Sequence, residues 1–309
     1  MNLSKHFNPK ETLILYGYEK YFNFFKELID KNNLPKVTML TGEKGLGKST
    51  FVNHLMHYYY DRENYNQENL SICGNTTFHT IFKNDTFPNI YFININNFKN
   101  IKVDEVRKLK QNLLKTSVIN QARFVILDDV ETFNLSSLNA LLKIIEEPSK
   151  STHFMLINNK SKSLIETVKS RSLEIKITFN NNQKIKILSS LISLFEQQLL
   201  INKDLLSASP GNFIKFNYMF NEKLNIENSL VNNIKIILNL YKKEKDIFYK
   251  ELLIFVTEYY LQKYKLEKKY NNKKFIEKRS NLLNYINEFF LFNLNQNTLL
   301  NFFESRLHE

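Results

Sequence analysis

Val37-Thr38-Met39-Leu40-Thr41-Gly42-Glu43-Lys44-Gly45-Leu46-Gly47-Lys48-Ser49 is the stretch that decides the fold. The apolar run Val37–Thr41 reads as a buried strand, the glycines make a turn, and a helix begins near Lys48. Gly42, Gly45 and Gly47 let successive backbone N–H groups face inward and surround an anion. In this phosphate-loop pattern Lys48 neutralises terminal phosphates and the Ser49 hydroxyl ligates magnesium. The helix that starts there, with Thr50 in its first turn, presents its positive dipole end to the same anion. The implied ligand is ATP or ADP with Mg2+. The competing reading of the same residues is a glycine turn kept for structure alone.

Outward from this turn, short apolar runs alternate with helix-like stretches, the pattern of a mainly parallel sheet wrapped by helices. Ile90–Ile93 is a second strand. Val103 to Lys115 carries Val103, Val106, Leu109 and Leu113 at amphipathic helical spacing. Arg123–Leu127 is a third strand ending in Asp128-Asp129, followed by a helix from about Ser136 to Glu146 that stops at Pro148. His153–Ile157 is a fourth strand, ending in Asn158-Asn159. A phosphate loop needs a second strand bearing carboxylates. Asp128 is the metal-side acid in this reading, so Ser49 and Asp128 together would hold Mg2+ through the nucleotide. Asp129 stands where an attacking water would be oriented. The plainer alternative is a core strand with two solvated acids at its end. Asn158 likewise either touches the γ-phosphate or simply terminates its strand.

Beyond Ile177 the chain reads as helical, with Leu188 to Leu200 as one helix and a break at Ser209-Pro210-Gly211. Long helical patterns follow at Ile234 to Tyr241, Ile247 to Tyr264 and Asn281 to Phe292. The expected organisation is an α/β domain over 1–178, a small helical lid over 179–220 and an all-α domain over 221–309.

Asn139-Ala140-Leu141-Leu142-Lys143-Ile144-Ile145-Glu146-Glu147-Pro148 closely resembles the NALLKxLEEP signature of clamp-loader subunits, with Ile145 for leucine as the one change. On the expected helix Leu141, Leu142 and Ile145 form the core face. Further on, Ile165-Glu166-Thr167-Val168-Lys169-Ser170-Arg171-Ser172 is similar to the TIxSRC element of the same family, with Ser172 for cysteine. Leu15-Tyr16-Gly17-Tyr18-Glu19 is similar to its L-x-G-H/Q segment, which lies against the adenine, and Tyr18 replaces the usual His or Gln. Asn293-Leu294-Asn295-Gln296 is similar to delta-prime C-termini.

The chain is thus identified as resembling the bacterial clamp-loader AAA+ family, whose P-loop NTPase domain carries a helical lid and an all-α collar. The resemblance implies that Arg171 acts in trans as an arginine finger on the γ-phosphate bound by the next subunit. Its alternative is a surface arginine. Where the family usually has glutamate, Asp129 is one methylene shorter, and a carboxylate ~1.5 Å out of place can slow hydrolysis by about two orders of magnitude. The lid arginine of many relatives is replaced by Ser209-Pro210-Gly211-Asn212, with only Lys215 nearby. Many relatives carry a four-cysteine zinc knuckle between positions 69 and 79, where this chain has only Cys73, so no zinc is expected. Within the family these departures, with the absence of a long C-terminal extension, favour a delta-prime-like stator. Its partners would be the motor and clamp-opening subunits of a hetero-pentamer, the sliding clamp and primed DNA. The alternative is an active ATPase motor of the gamma or tau kind in the same complex.

Composition bounds the remaining classes. The chain has 309 residues, 43% of them hydrophobic and 24% charged, enough to bury a substantial core. A formal net charge of +12 has two readings: a polyanionic partner, or lysine accumulated with Asn, Ile, Phe and Tyr through AT-rich codons. The basic run from Lys263 to Arg279, interleaved with Tyr264, Tyr270 and Phe275, is either a DNA contact or a solvated helix face. With a single cysteine, neither an intramolecular disulfide nor a multi-cysteine metal site is available. No run reaches the roughly 18 apolar residues of a membrane helix, and no apolar signal core follows Met1. A cytoplasmic protein without a membrane partner is expected.

Overall fold

A computed structural model describes residues 7–93, 103–115, 119–147, 149, 151–202, 208–268 and 272–307. The elements of the first part, in chain order, are α1 (Glu19–Asp30), β1 (Val37–Thr41), α2 (Lys48–Tyr60), β2 (Tyr65–Asn66), β3 (Ser71–Ile72), α3 (Thr77–Lys83), β4 (Ile90–Ile93), α4 (Val103–Leu114), β5 (Arg123–Leu127), α5 (Leu135–Ile145), β6 (Thr152–Asn158), α6 (Glu166–Lys169) and β7 (Leu173–Lys176). Then follow α7 (Asn181–Leu194), α8 (Pro210–Glu222), α9 (Leu230–Glu244), α10 (Phe248–Lys268), α11 (Asn272–Phe292) and α12 (Gln296–Leu307). The chain forms two compact units, one of residues up to Leu191 with Ser209–Asn212, the other of Ile192–Ala208 with Phe213–Glu309. Of the stretch read as a lid, residues 179–191 and 209–212 thus group with the α/β part and the rest with the C-terminal helices.

In the first unit a five-stranded sheet runs in the order β4-β5-β6-β1-β7, and every ladder within it is parallel. Parallel strands covered on both faces are apolar throughout, and β1 and β5 are buried at every residue. Successive side chains point to opposite faces. On β1, β5 and β6 respectively, Leu40, Ile126 and Met155 enter the core beneath Phe22, Phe25, Phe51 and Leu55. Their neighbours Met39, Val125 and Phe154 enter the other core, with Val106, Leu109, Leu138 and Leu141. Each fully buried aliphatic or aromatic side chain contributes about 1.5–3 kcal/mol, so the two faces together clamp the sheet.

The expected strands fall where β1, β4, β5 and β6 lie. The fifth strand, β7, was not expected: Leu173-Glu174-Ile175-Lys176 is an edge strand beside β1 with three of its four residues exposed. The short antiparallel pair β2–β3 is a second addition. Helix α5 begins one residue earlier than expected, because Asn134 caps it by accepting the Ser137 N–H at 2.8 Å. Its buried face is Leu138, Leu141, Ile144 and Ile145, while Leu142 is half-buried. Pro148 lies outside the described residues.

The second unit is helical. Helix α9 packs on α10 and α12, α10 on α11, and α11 on α12, so the four close on one another. Leu230, Ile234, Leu252, Val256, Leu282, Ile286, Leu299 and Phe303 are the buried positions between them. The buried Asn233 is satisfied there: its Nδ2 donates to Tyr260 Oη and to Asn225 O, both at 2.8 Å. No helix among the described residues is long and apolar enough to cross a membrane.

Candidate nucleotide-binding site

Parallel strands deliver their carboxyl ends to one edge of the sheet, and ligands of open α/β folds bind there. At that edge lie the turn after β1, the acids after β5 and the asparagines at the end of β6. Gly45 and Gly47 have φ of 82° and 91°, the left-handed region that only glycine enters freely, and Gly47 is the N-cap of α2. Lys48 is buried, and its Nζ donates to Gly42 O at 2.7 Å and to Glu43 O at 2.6 Å. Three further groups hold the loop from outside. Ser209 Oγ donates to Lys44 O at 2.5 Å and Gly211 N to Gly45 O at 2.9 Å. The buried Tyr18 donates its hydroxyl to Leu46 O at 3.0 Å. Thr50 lies half-buried in the first turn of α2.

Ser49 Oγ donates to Asp128 Oδ2 at 2.6 Å, so the hydroxyl and carboxylate expected to share a metal already meet. Two hard oxygen donors suit Mg2+, which takes one or two protein oxygens and leaves the remainder to phosphate and water. The residues present fit the group. Burial, and then the charge of Asp129, push Asp128 up to about 6, with the Ser49 hydrogen bond opposing the rise. Burial pulls Lys48 down to about 8, against the attraction of Asp128, Glu131 and Asp129.

Asp129 sits in the left-handed region, φ 54°, at the start of a tight turn, and Asn159 Nδ2 donates to its Oδ1 at 2.7 Å. The same Nδ2 lies 3.4 Å from Asp128 Oδ1. The carboxamide that meets the acids is therefore that of Asn159. Asn158 is buried, and its Oδ1 accepts the Lys160 N–H at 2.9 Å, which is the strand-terminating use of an asparagine. Glu131 is a second residue the sequence did not single out. It is buried, its Oε1 accepts from Ser161 N at 3.2 Å and Ser161 Oγ at 2.7 Å, and its Oε2 is buried without a hydrogen bond. A charge two residues past a β-strand acid pair is the signal that was available in the sequence.

Arg171 is elsewhere. Strand β7 enters the sheet beside Thr38 and leaves beside Thr41, so the residues just before it lie at the edge where strands begin, opposite the phosphate loop. Its guanidinium is exposed, pairs with Glu146 Oε1 at 2.8 Å and donates to Thr167 O at 3.1 Å. Ser172 Oγ, where the family has cysteine, donates to Val168 O at 3.0 Å and so closes the α6 turn. In the region of the family's zinc knuckle, Cys73 is exposed and His79 Nδ1 lies 3.1 Å from His57 Nε2 among Phe78 and Phe82. No group of three or more His, Cys, Asp or Glu that would hold a metal occurs among the described residues.

The family described as "DNA polymerase III, delta subunit" matches residues 17–181. The chain belongs to this family. Family relatives include the delta-prime subunit of DNA polymerase III from Buchnera aphidicola subsp. Baizongia pistaciae, 29% identical over 49% of this chain and 54% of that protein. The delta-prime subunit from Buchnera aphidicola subsp. Schizaphis graminum is 30% identical over 54% of this chain and 48% of its own length. The chain thus spans about half the length of these curated relatives. A DNA polymerase III gamma subunit-related protein from Thermotoga maritima shares the fold, with a TM-score of 0.55 at 15% identity over 92% of this chain and 97% of that one. The family match contains the phosphate loop, the acid pair, Asn159, α5 and Arg171, while Ser209 and Gly211 lie outside it.

Proposed function

We propose that the chain is a delta-prime subunit of a clamp loader, a stator that binds ATP or ADP with Mg2+ and lends Arg171 to the nucleotide of a neighbouring subunit. The neighbours are motor and clamp-opening subunits of a hetero-pentamer, which loads the sliding clamp on primed DNA. The observation that carries this reading is the placement of Arg171: exposed, and on the opposite edge of the sheet from the phosphate loop of its own chain. A guanidinium there cannot serve the nucleotide of its own chain, but it can stabilise transferring charge in another.

Within the chain, Gly42, Gly45, Gly47, Lys48, Ser49 and Thr50 bind and orient phosphates. Ser49 and Asp128 would hold Mg2+ together with the nucleotide, and the ion would supply charge neutralisation at the phosphates. Asp129 is a weak candidate for orienting water, being short and already engaged by Asn159. These features support nucleotide binding with little independent turnover. The active-motor reading is favoured by the complete phosphate loop and the Ser49–Asp128 pair. A turnover assay separates them: a motor hydrolyses ATP alone at a rate abolished by Lys48→Ala, while a stator shows almost none.

The test of the stator reading is reconstitution with its motor and clamp-opening partners. Arg171→Ala should leave nucleotide binding by the isolated chain unchanged and lower DNA-stimulated ATPase of the complex by about 10^3-fold. A complex that hydrolyses at the parent rate would overturn the assignment of Arg171.

A further inference from the structure

The carbonyls of Gly42, Glu43, Lys44, Gly45 and Leu46 all accept hydrogen bonds, in an unbroken row. The last three are held by donors outside the loop: Ser209 Oγ, Gly211 N and Tyr18 Oη. A peptide unit is planar, so fixing the direction of its C=O also fixes that of the N–H on its far side. With the oxygens tied to the surrounding fold, the amides are held on the face where an anion is cradled.

We propose that Tyr18, Ser209 and Gly211 are positioning residues that hold the phosphate loop pre-ordered before a nucleotide arrives. This rests on the nucleotide-binding reading above. Their placement is closely determined. A Cβ on Gly211 would stand 2.6 Å from Gly45 O, and a Cβ on Gly45 would stand 2.3 Å from Ser209 Oγ, so the crossing needs glycine on both sides. Tyr18 is stacked on Phe51, centroids 4.8 Å apart at 18°, and meets the ring of Phe179 edge-on at 5.3 Å. That packing aims its hydroxyl at the loop. Burial raises the Tyr18 pKa well above its ordinary value, so the hydroxyl remains a donor. Where relatives offer a lid arginine that reads the γ-phosphate, this chain offers a hydroxyl and a backbone N–H that bind the loop itself. The brace is therefore indifferent to whether the nucleotide carries two phosphates or three.

The experiment uses the full chain with Tyr18→Phe and Ser209→Ala, and Ser209→Thr as the variant that keeps the hydroxyl. Amide hydrogen exchange over residues 42–47 is measured without nucleotide, and Mg·ADP and Mg·ATP affinities are measured in parallel. Tyr18→Phe and Ser209→Ala should each speed exchange in the loop roughly fivefold and weaken both nucleotides by a similar factor. The melting temperature should fall by no more than about 2–4 °C, and Ser209→Thr should restore parent behaviour. Parent-like exchange and affinity in both variants would overturn the proposal, as would a loss confined to ATP. If the parent binds neither nucleotide while loop exchange still responds, the nucleotide reading fails and the bracing stands.

Discussion

Arg171 and Glu146 form an ion pair at 2.8 Å that ties the residue proposed to act on a neighbour to the end of α5 in its own chain. Both partners are more than a third exposed, and such pairs contribute about 0–1 kcal/mol. The pair is thus weak enough to be given up when the guanidinium turns toward another subunit. Glu146→Gln should shift the stability of the isolated chain by less than about 1 kcal/mol. It should raise hydrolysis by the reconstituted complex, up to about fivefold, because the arginine no longer has to leave a counter-charge. Steady-state ATPase with primed DNA checks this. A fall to the level of Arg171→Ala would instead make Glu146 part of the machinery.

The Asp128 carboxyl titrates near 6 because it is buried beside Asp129. Its ordinary value is about 3.9. Folding therefore raises the pKa, the native state binds more protons in this window, and stability falls as pH climbs from about 4 to 6. Asp128→Asn removes the buried charge and keeps one oxygen to accept from Ser49, giving up the bond that Oδ1 accepts from the Asp129 N–H at 2.9 Å. The variant should be more stable than the parent at pH 7.5 without magnesium, by on the order of 1 kcal/mol. That gain should shrink at pH 5, where the parent acid is mostly protonated, and Mg2+-dependent nucleotide binding should be lost. Denaturant titrations at the two pH values measure it, and a less stable variant at pH 7.5 would refute it.

Asn159 serves both acids with one amide nitrogen, 2.7 Å from Asp129 and 3.4 Å from Asp128. Asn159→Asp has the same shape but replaces the donor with a third carboxylate. Like charges at this range in a partly buried site cost about 1–3 kcal/mol, since the lost donor also leaves Asp129 unpaired. Relative to the parent at the same pH, the variant should be destabilised at neutral pH, and that deficit should shrink on acidification toward pH 5, the reverse of an ordinary native carboxylate. Thermal melts of parent and variant side by side across that range give the sign.

The sheet and the phosphate loop were legible because continuous apolar runs and glycine spacing are local signals, complete within a few residues. β7 was not, because an exposed edge strand has no continuous apolar run, and only its pairing with β1 identifies it. The choice between Asn158 and Asn159 depends on which way one residue at a strand end points, and a single step reverses the face. Leu138 and Ile144 join Leu141 and Ile145 on the buried face of α5, whereas Leu142 lies at its margin, because the helix packs on a broad surface. Ser209 and Gly211 lie far along the chain from the loop they hold, and no local pattern joins them to it. The basic run is half explained. Arg279 pairs with Glu258 and Lys265 Nζ lies 4.8 Å from the ring centre of Phe275, while Tyr270 lies outside the described residues.

Hydrogen bonds hold two buried histidines neutral. His57 Nδ1 faces Asn53 O at 2.9 Å, so it carries a proton and donates, which leaves Nε2 to accept from His79 Nδ1 at 3.1 Å. A second proton on His57 would set two N–H groups against each other in a pocket walled by Phe78 and Phe82. His54 is similarly fixed, with Nε2 donating to Thr12 O at 3.1 Å and Nδ1 accepting from Tyr65 Oη at 3.0 Å. Burial lowers His57 to about 4 and His54 to about 3. Unfolded histidine titrates near 6.5, so the unfolded state binds more protons below that pH, and stability falls as pH drops from about 6.5 toward 4. Asp128 works in the opposite direction over part of this range, but two histidines outweigh one acid. The unfolding free energy should fall by about 3 kcal/mol between pH 7 and pH 5. His57→Leu, which cannot take up the proton, should flatten the slope while lowering stability at pH 7 through loss of the His79 contact. Denaturant unfolding of parent and variant at both pH values decides it, and a parent whose stability is level or rises toward pH 5 would show that these imidazoles are not held neutral.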